Sequence, residues 1–438
     1  MKESIKNINF KLYFSLLFLG LCPAVYNTVR IFFLGQMPGE WSYSIAGQLS
    51  WVNLIYEVLN EAVILPLFFF MGKVVNNREE FTNRIRSGLS VTFVVYAVIS
   101  ALIIIFAADL LKLMAADKSI LDESAVYIRI ESIANIFAIL SSFVMTALIT
   151  LNRTKYIYFL TVVRLGLNIF FDTLFISELP ISFSLGINGI GYSNIAVNLL
   201  ILLLSLKFLS KENIRVISKR KMSFNWMKDF LRIGGISGIE SFVRNIAYML
   251  MIVRMVNVVN EQGTYWVANS FIWGWLLLPV LQLGELIKQE IAIDNKNLKR
   301  NTKGYFGITL FICIIWLATI PLWKPFMANI LGYTETDNLF SIVLLLLGFY
   351  VLFAFQNIFD ATFYALGKTD YMLFESVVTN VIYYGGAFIL YSMGKWVPTL
   401  DGIALLFGIG IAFDSIVSFA VYLYMIKTDK TTHKLGIA

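Results

Sequence analysis

The stretch NRTKYIYFLTVV at residues 152–163 has a second version, GKTDYMLFESVV at 367–378, displaced by 215 positions. Five of the twelve aligned residues are identical: Thr154/Thr369, Tyr156/Tyr371, Phe159/Phe374, Val162/Val377 and Val163/Val378. Arg153/Lys368, Ile157/Met372 and Thr161/Ser376 match in kind. An offset of 215 in a chain of 438 residues is what two similar halves produce. A second alignment, at offset 222, pairs Ala46/Ala268, Trp51/Trp273, Leu54/Leu276 and Leu59/Leu281. Gly189-Ile190 is likewise echoed by Gly402-Ile403.

The repeated units belong in a bilayer. Hydrophobic residues make up 58% of the chain and charged ones 14%, with a mean hydropathy of +0.75, whereas a soluble domain is about a quarter charged. A helix needs about 20 mainly apolar residues to cross the hydrocarbon core. Twelve segments qualify: 8–36, 42–72, 88–114, 124–150, 156–178, 188–210, 226–258, 263–291, 305–328, 338–366, 372–394 and 402–427. The expected fold class is an all-α integral membrane protein with twelve transmembrane helices in two six-helix lobes. Each half holds an even number of helices, so the repeats are parallel, about an axis along the membrane normal. The N-lobe covers 1–210, a cytoplasmic linker 211–225, and the C-lobe with a short cytoplasmic tail 226–438.

Orientation follows from Lys and Arg, which accumulate in cytoplasmic loops. With the N-terminus inside, the cytoplasmic segments hold 24 of the 35 basic residues, and the outer loops hold Lys112, Lys118, Lys324 and Lys395. Both termini are therefore expected in the cytoplasm. The same bias accounts for the net charge of +7 without a nucleic-acid partner. The first span follows Lys2, Lys6 and Lys11 with no small-residue cleavage site, which reads as a retained helix and not a signal peptide. Cys22 and Cys313 both fall in spans, so no disulfide framework is expected. The single histidine, His433, lies in the tail, so neither a metal site nor a histidine proton relay is expected within the spans. No cofactor is expected. GKT at 367–369 is not a phosphate loop, because position 362 is Thr where the motif needs Gly.

Charges inside spans cost a few kcal/mol each to insert. Arg129, Glu131, Arg232, Lys288, Glu290 and Glu375 lie near span ends and are expected to snorkel or sit at the interface. Mid-span charges need another reason. Glu57 and Glu61, four apart, share a face of span 2, and two carboxylates in a low-dielectric cavity rarely ionise together, so one could load and release a proton. The alternative is a separate cationic partner for each. Glu240 and Arg244 have the same spacing with opposite charge and are expected to form an intrahelical ion pair. Arg164, Asn168 and Asp172 draw one polar stripe along span 5.

LNIFFDTLFI at 167–176, LGINGIGYSNI at 185–195, and the turns ALITLNRTKY at 147–156 and YALGKTDY at 364–371 carry a resemblance. The chain resembles the multidrug and toxic compound extrusion (MATE) transporters, within the wider group that includes lipid-linked oligosaccharide flippases. The resemblance covers essentially the whole chain. It implies an exporter driven by a proton or sodium gradient, with spans 1, 2, 7 and 8 lining a cleft. It also implies a bacterial inner-membrane location, a monomer, and small organic substrates and membrane lipids as its partners. The family's N-lobe cation site falls on Asn168 and Asp172, with Asn194 in place of a usual Thr. One departure stands out: the span 1 Asp, five residues before a Gly, is here Arg30 in RIFFLG. A permanently charged guanidinium there could pair with Asp172 like a tethered cation, leaving no room for sodium.

Glu240 and Asp360 resemble the C-lobe carboxylates that some members use for coupling, although their offsets differ by about a turn. With Arg244, Trp273 and Glu285 they make up the expected substrate cleft. Trp273, beside Trp275, would give ligand contact, and Glu285 would meet a cationic group of the substrate or a neighbouring Arg. Three functions stay open. The first is a gradient-driven antiporter exporting organic compounds. The second is a flippase for a lipid-linked anionic substrate, held by Arg30, Arg164, Arg244 and Arg254. The third is a membrane enzyme or scaffold, against which stands the lack of an assembled acid, nucleophile and positioning group.

Overall fold

A computed structural model describes residues 2–37, 41–64, 66–216, 218 and 221–428. The tail bearing His433 and positions 217, 219 and 220 of the basic linker lie outside these residues. No strand occurs among the described residues. In chain order the helices are α1 (Lys2–Lys6), α2 (Phe10–Gln36), α3 (Ser42–Gly47), α4 (Leu49–Val63), α5 (Leu67–Gly72), α6 (Arg78–Leu113), α7 (Leu121–Thr150) and α8 (Thr154–Phe175). There follow α9 (Asn188–Lys211), α10 (Met227–Val258), α11 (Gln262–Leu276), α12 (Leu278–Ile293), α13 (Lys296–Asn329), α14 (Thr336–Ala365), α15 (Asp370–Ser392) and α16 (Leu400–Thr428). Every predicted span has its helix or run of helices.

The repeated stretch begins at a helix-ending turn. Asn152 and Gly367, the first residues of the two copies, both have positive φ, 58° and 68°. Behind each, the closing hydrogen bonds are the same. Asn152 N–H donates to the Ile149 carbonyl and Arg153 N–H to the Leu148 carbonyl, at 2.8 and 3.0 Å; Gly367 and Lys368 repeat this on Tyr364 and Phe363 at 3.1 and 2.8 Å. This left-handed cap ties off the carbonyls that a helix end leaves open, and Gly or Asn adopts it most cheaply. The copies thus share a backbone device as well as side chains.

Among the described residues ten helices are long and apolar enough to cross a membrane, and the bent pair α11–α12, taken as one span, makes an eleventh. The bend of 51° falls at Leu277, two residues before Pro279, whose ring removes a donor and clashes with the preceding turn. The predicted second span, 42–72, is broken into α3, α4 and α5, none of which is long enough alone. Pro66 accounts for the second break by the same physics. At the first, the buried Gln48 turns its amide to Asn257: Gln48 Nε2 donates to Asn257 Oδ1 at 2.8 Å, and Asn257 Nδ2 donates back to Gln48 Oε1 at 3.2 Å.

The chain forms two compact units. One is Val29–Gly263; the other joins Met1–Thr28 to Thr264–Ala438. The first therefore contains α10, the seventh predicted span, so compactness does not follow the repeat boundary. The division into lobes at 1–210 and 226–438 stands as a proposal drawn from the repeat.

The first unit packs around Trp51, Phe81, Ile85, Phe143, Val144 and Phe230. The second packs around Leu283, Leu286, Ile287 and Tyr305, with a smaller cluster at Phe359, Phe363 and Tyr422. Lipid offers apolar side chains no reason to leave it, so helices in a bilayer gain most from close approach at small residues. At Gly189 an added Cβ would lie 2.5 Å from Ile176 Cγ2, and at Gly191 it would lie 2.6 Å from Ile130 Cγ2. These two glycines set α9 hard against α7 and the end of α8.

The basic linker is strapped to α6. Arg86 donates to the carbonyls of Val216 and Ser218 at 3.0 and 2.7 Å, and Asn83 exchanges two hydrogen bonds with the backbone of Ser223.

Candidate functional site

Close packing of α9 brings Asn194 and Ser193 to the polar stripe of α8. Arg30, near the end of α2, reaches the same point. Its Nε donates to Asp172 Oδ2 at 2.9 Å and its Nη2 to Asp172 Oδ1 at 3.1 Å, a two-pronged pair. Nη2 also donates to Asn194 Oδ1 at 2.9 Å, and Ser193 Oγ donates to Asp172 Oδ1 at 2.5 Å. Arg30, Asp172 and Asn168 are all buried. Arg30, Asp172 and Asn194 are thus brought together, with Asn168 buried one turn before Asp172, and the guanidinium occupies the mouth of the Asp172 carboxylate.

Glu131 corrects an expectation. Placed at the interface by its distance from a span end, it is instead 3% exposed and accepts from Asn194 Nδ2 at 2.7 Å and from the Tyr127 hydroxyl. The interfacial reading fails because α7 turns this residue toward α9 and not toward lipid or water. Arg30 is the only basic residue bonded into this network among the described residues, and it faces two carboxylates.

A second group forms in the same unit around Arg244 of α10. Its Nη2 lies 2.5 Å from Glu61 Oε1 and 3.5 Å from Glu57 Oε1, while Nη1 lies 3.9 Å from Glu240 Oε1. The expected Glu240–Arg244 pair is therefore the loosest of three. Glu57 and Glu61 share one cation instead of taking separate ones. Packing explains this: Gly234 and Gly238 let α10 lie against α4, with Ala62 filling the space a side chain would need. The group is partly exposed, with side-chain accessibility of 35% for Arg244 and 45% for Glu57.

In the second compact unit the expected cleft residues each have their own neighbours. Trp273 is 39% exposed, with its ring edge-on to Tyr350 and Phe353. Trp275 donates its indole N–H to Thr28 Oγ1 at 2.9 Å. Glu285 is exposed and meets no Arg: Lys288, one turn on, lies 2.7 Å from it and over the Tyr364 ring. Asp360 accepts from Ser418 Oγ at 2.8 Å and from Gln356 Nε2 at 3.4 Å. Gln356 Nε2 also donates to Asp414 Oδ2 at 2.6 Å, and Thr379 Oγ1 donates to Asp414 Oδ1 at 2.7 Å.

Two further interfacial expectations are corrected here. Glu290 is buried and fixes a helix junction, accepting from Asn9 N–H at 2.7 Å, Asn301 Nδ2 at 3.0 Å and the Tyr305 hydroxyl at 2.5 Å. Glu375 is buried beside Asp360 and Ser418. A signal for this acidic group existed: Gln356/Asp360 and Asp414/Ser418 each sit four apart on one helix face. Arg129 and Arg232 do lie exposed, as expected of snorkelling residues. No cluster suited to a metal ion occurs among the described residues.

The helices, their broken and bent members, and the polar groups held inside them define a multi-pass helical membrane protein. Within that class the likeness is specific. Residues 75–174 match the MatE family model. The chain superposes on an inward-facing multidrug resistance MATE transporter of the MOP superfamily with a TM-score of 0.74 at 18% identity, covering 97% of this chain and 98% of that one. The outward-facing conformation of such a transporter gives 0.71 at 18% identity, over 97% and 96%. A Vibrio cholerae MATE transporter bearing an aspartate-to-asparagine substitution gives 0.69 at 14%, over 97% of each chain. No curated protein matches by sequence. The fold is that of the twelve-span MATE transporters, and the resemblance read from the sequence holds.

Proposed function

We propose that the protein is a MATE-like secondary active antiporter that exports small organic compounds by alternating access, from the bacterial inner membrane, with both termini in the cytoplasm. Its coupling ion is the proton. The observation that carries the coupling is the two-pronged Arg30–Asp172 pair, with its third bond to Asn194. A guanidinium cannot be deprotonated in this setting and presents a planar fork that matches a carboxylate. It fills the position where a sodium ion would be held, so sodium has no ligand set left at this point. Glu57, Glu61 and Glu240 outnumber their one arginine, which favours substrates carrying positive charge. Nothing favours the flippase. Arg30, Arg164, Arg244 and Arg254 each already hold a protein acceptor: Asp172, Ser141 Oγ, Glu61 and the Leu113 carbonyl.

Proteoliposomes with an imposed pH gradient or an imposed sodium gradient, loaded with a fluorescent organic cation, test this reading. Movement under the pH gradient alone is the expected result. Movement under the sodium gradient alone overturns proton coupling, and movement only of polyprenyl-phosphate lipids overturns the exporter.

A further inference from the structure

In the first compact unit the first turn of α8 and the last turns of α9 are joined by aromatic rings. Tyr156 stacks on Phe208 at a centroid separation of 4.4 Å and an angle of 7°, and Phe159 meets the edge of the same Phe208 ring at 5.7 Å and 77°. Lys155 lies over the Tyr156 ring at 5.2 Å, and Lys211 over the Phe208 ring at 5.5 Å. Lys207 precedes Lys211 by one helical turn on the same face of α9. All three lysines are exposed, and among the described residues no ion pair engages any of them. The one acid in residues 152–159 and 204–213 is Glu212, and Arg153 holds it at 2.9 Å. The apolar faces that continue from these lysines are open: Lys155, Phe159 and Val162 follow one face of α8, Leu203, Lys207 and Lys211 one face of α9, and Phe159, Val162 and Leu203 are all exposed.

We propose that the joined ends of α8 and α9 form a binding site for the phosphodiester headgroup of an anionic phospholipid, with Lys155, Lys207 and Lys211 supplying the positive charge and Phe159, Val162 and Leu203 facing the acyl chains. Lysine makes charge-assisted hydrogen bonds to phosphate oxygens, and an anionic leaflet attracts each such residue at its surface. Contact with the rings steadies two of the flexible stems before a ligand arrives, which lowers the cost of ordering them. A water-soluble anion would use the lysines and not the apolar faces beside them. Basic residues at a membrane face are ordinary, but the repeat separates this group from that background. In the second copy Tyr371 meets Tyr424 at 6.5 Å and 89°, edge to face and not stacked, and Asp370 stands at the position of Lys155. Both copies close the preceding helix with the same left-handed cap, so the turn itself does not require a lysine there. The cation ring is a property of one half only.

Native mass spectrometry of the full-length protein in an uncharged detergent, titrated with phosphatidylglycerol and separately with phosphatidylcholine, tests the proposal. Wild type is compared with the triple variant Lys155→Gln, Lys207→Gln, Lys211→Gln and with a charge-matched control, Lys112→Gln, Lys118→Gln, Lys395→Gln. All six positions are exposed, and an unchanged unfolding midpoint in lipid-free detergent verifies folding. Each lysine at an anionic surface contributes about a fivefold factor in affinity, so the site variant should hold phosphatidylglycerol roughly 100-fold more weakly. The control, and all binding of phosphatidylcholine, should stay at wild-type values. Lys155→Asp copies the charge of the second half and should by itself weaken phosphatidylglycerol by more than about fivefold. Equal losses in the two triple variants, or none in the site variant, overturn the proposal. Complete displacement of phosphatidylglycerol by an equal concentration of inorganic phosphate overturns the lipid assignment. The measurement needs neither a gradient nor a transported substrate, so its outcome is independent of the antiporter reading.

Discussion

Removing the Arg30 side chain is the sharpest perturbation the first unit offers. Asp172 is 1% exposed and receives three protein hydrogen bonds, two from the guanidinium and one from Ser193. Arg30→Ala leaves only the serine. Charge-assisted bonds contribute roughly 1.5–3 kcal/mol each, and breaking a buried ion pair by deleting one partner costs about 3–5 kcal/mol. We expect Arg30→Ala to lose about 3–5 kcal/mol of stability. The variant also opens a space bounded by Asp172 and the Asn194 carbonyl oxygen, both oxygen donors suited to a hard cation. Sodium should then bind where it does not in wild type. At a concentration 100-fold above its Kd it would restore about 2.7 kcal/mol. Thermal unfolding in detergent, in sodium chloride against choline chloride of equal ionic strength, reads both effects. Wild type should be indifferent to sodium, Arg30→Ala should fall and then recover in part, and Arg30→Ala with Asp172→Asn should not recover. Sodium stabilisation of wild type that disappears in Asp172→Asn would refute the tethered-cation account, as would a loss below about 1 kcal/mol in Arg30→Ala.

Two further outcomes follow from the packing and the charges. Gly191→Val places atoms where Ile130 already lies, and overpacking of this kind costs about 1–3 kcal/mol. A lowered unfolding midpoint should be accompanied by weaker retention of Asn194 beside Arg30, seen as partial sodium sensitivity; a midpoint equal to wild type would mean α9 can shift freely. Arg244→Gln leaves Glu57, Glu61 and Glu240 without their cation, but the group is partly exposed, so stability should change by no more than about 1 kcal/mol. Its effect should be read in transport instead, as tighter apparent affinity for cationic over neutral substrates; unchanged selectivity would remove this group from the substrate path.

Much of the architecture was legible because hydropathy and helical period are local properties. The apolar segments located the helices, including the eighth with its proline, and the echoed turn marked the repeat through two residues able to take positive φ. Asn168 and Asp172 were readable as a stripe for the same reason: four residues is one helical turn. The errors share a cause as well. Distance from a span end said nothing about which way Glu131, Glu290 and Glu375 face, and all three are buried. The spacing of Glu240 and Arg244 allowed a pair, yet Glu61 lies closer, from a helix 183 positions away. Residue order alone determined the membrane class, the helical segments, the duplication and the presence of an arginine where an acid was expected. Only tertiary structure decided that this arginine grips Asp172, 142 positions on, and that Gln356 joins Asp360 to Asp414 across two helices. Helical periodicity specifies which residues share a face, whereas the rotation and approach of neighbouring helices, set here by glycines and prolines, specify what each face meets.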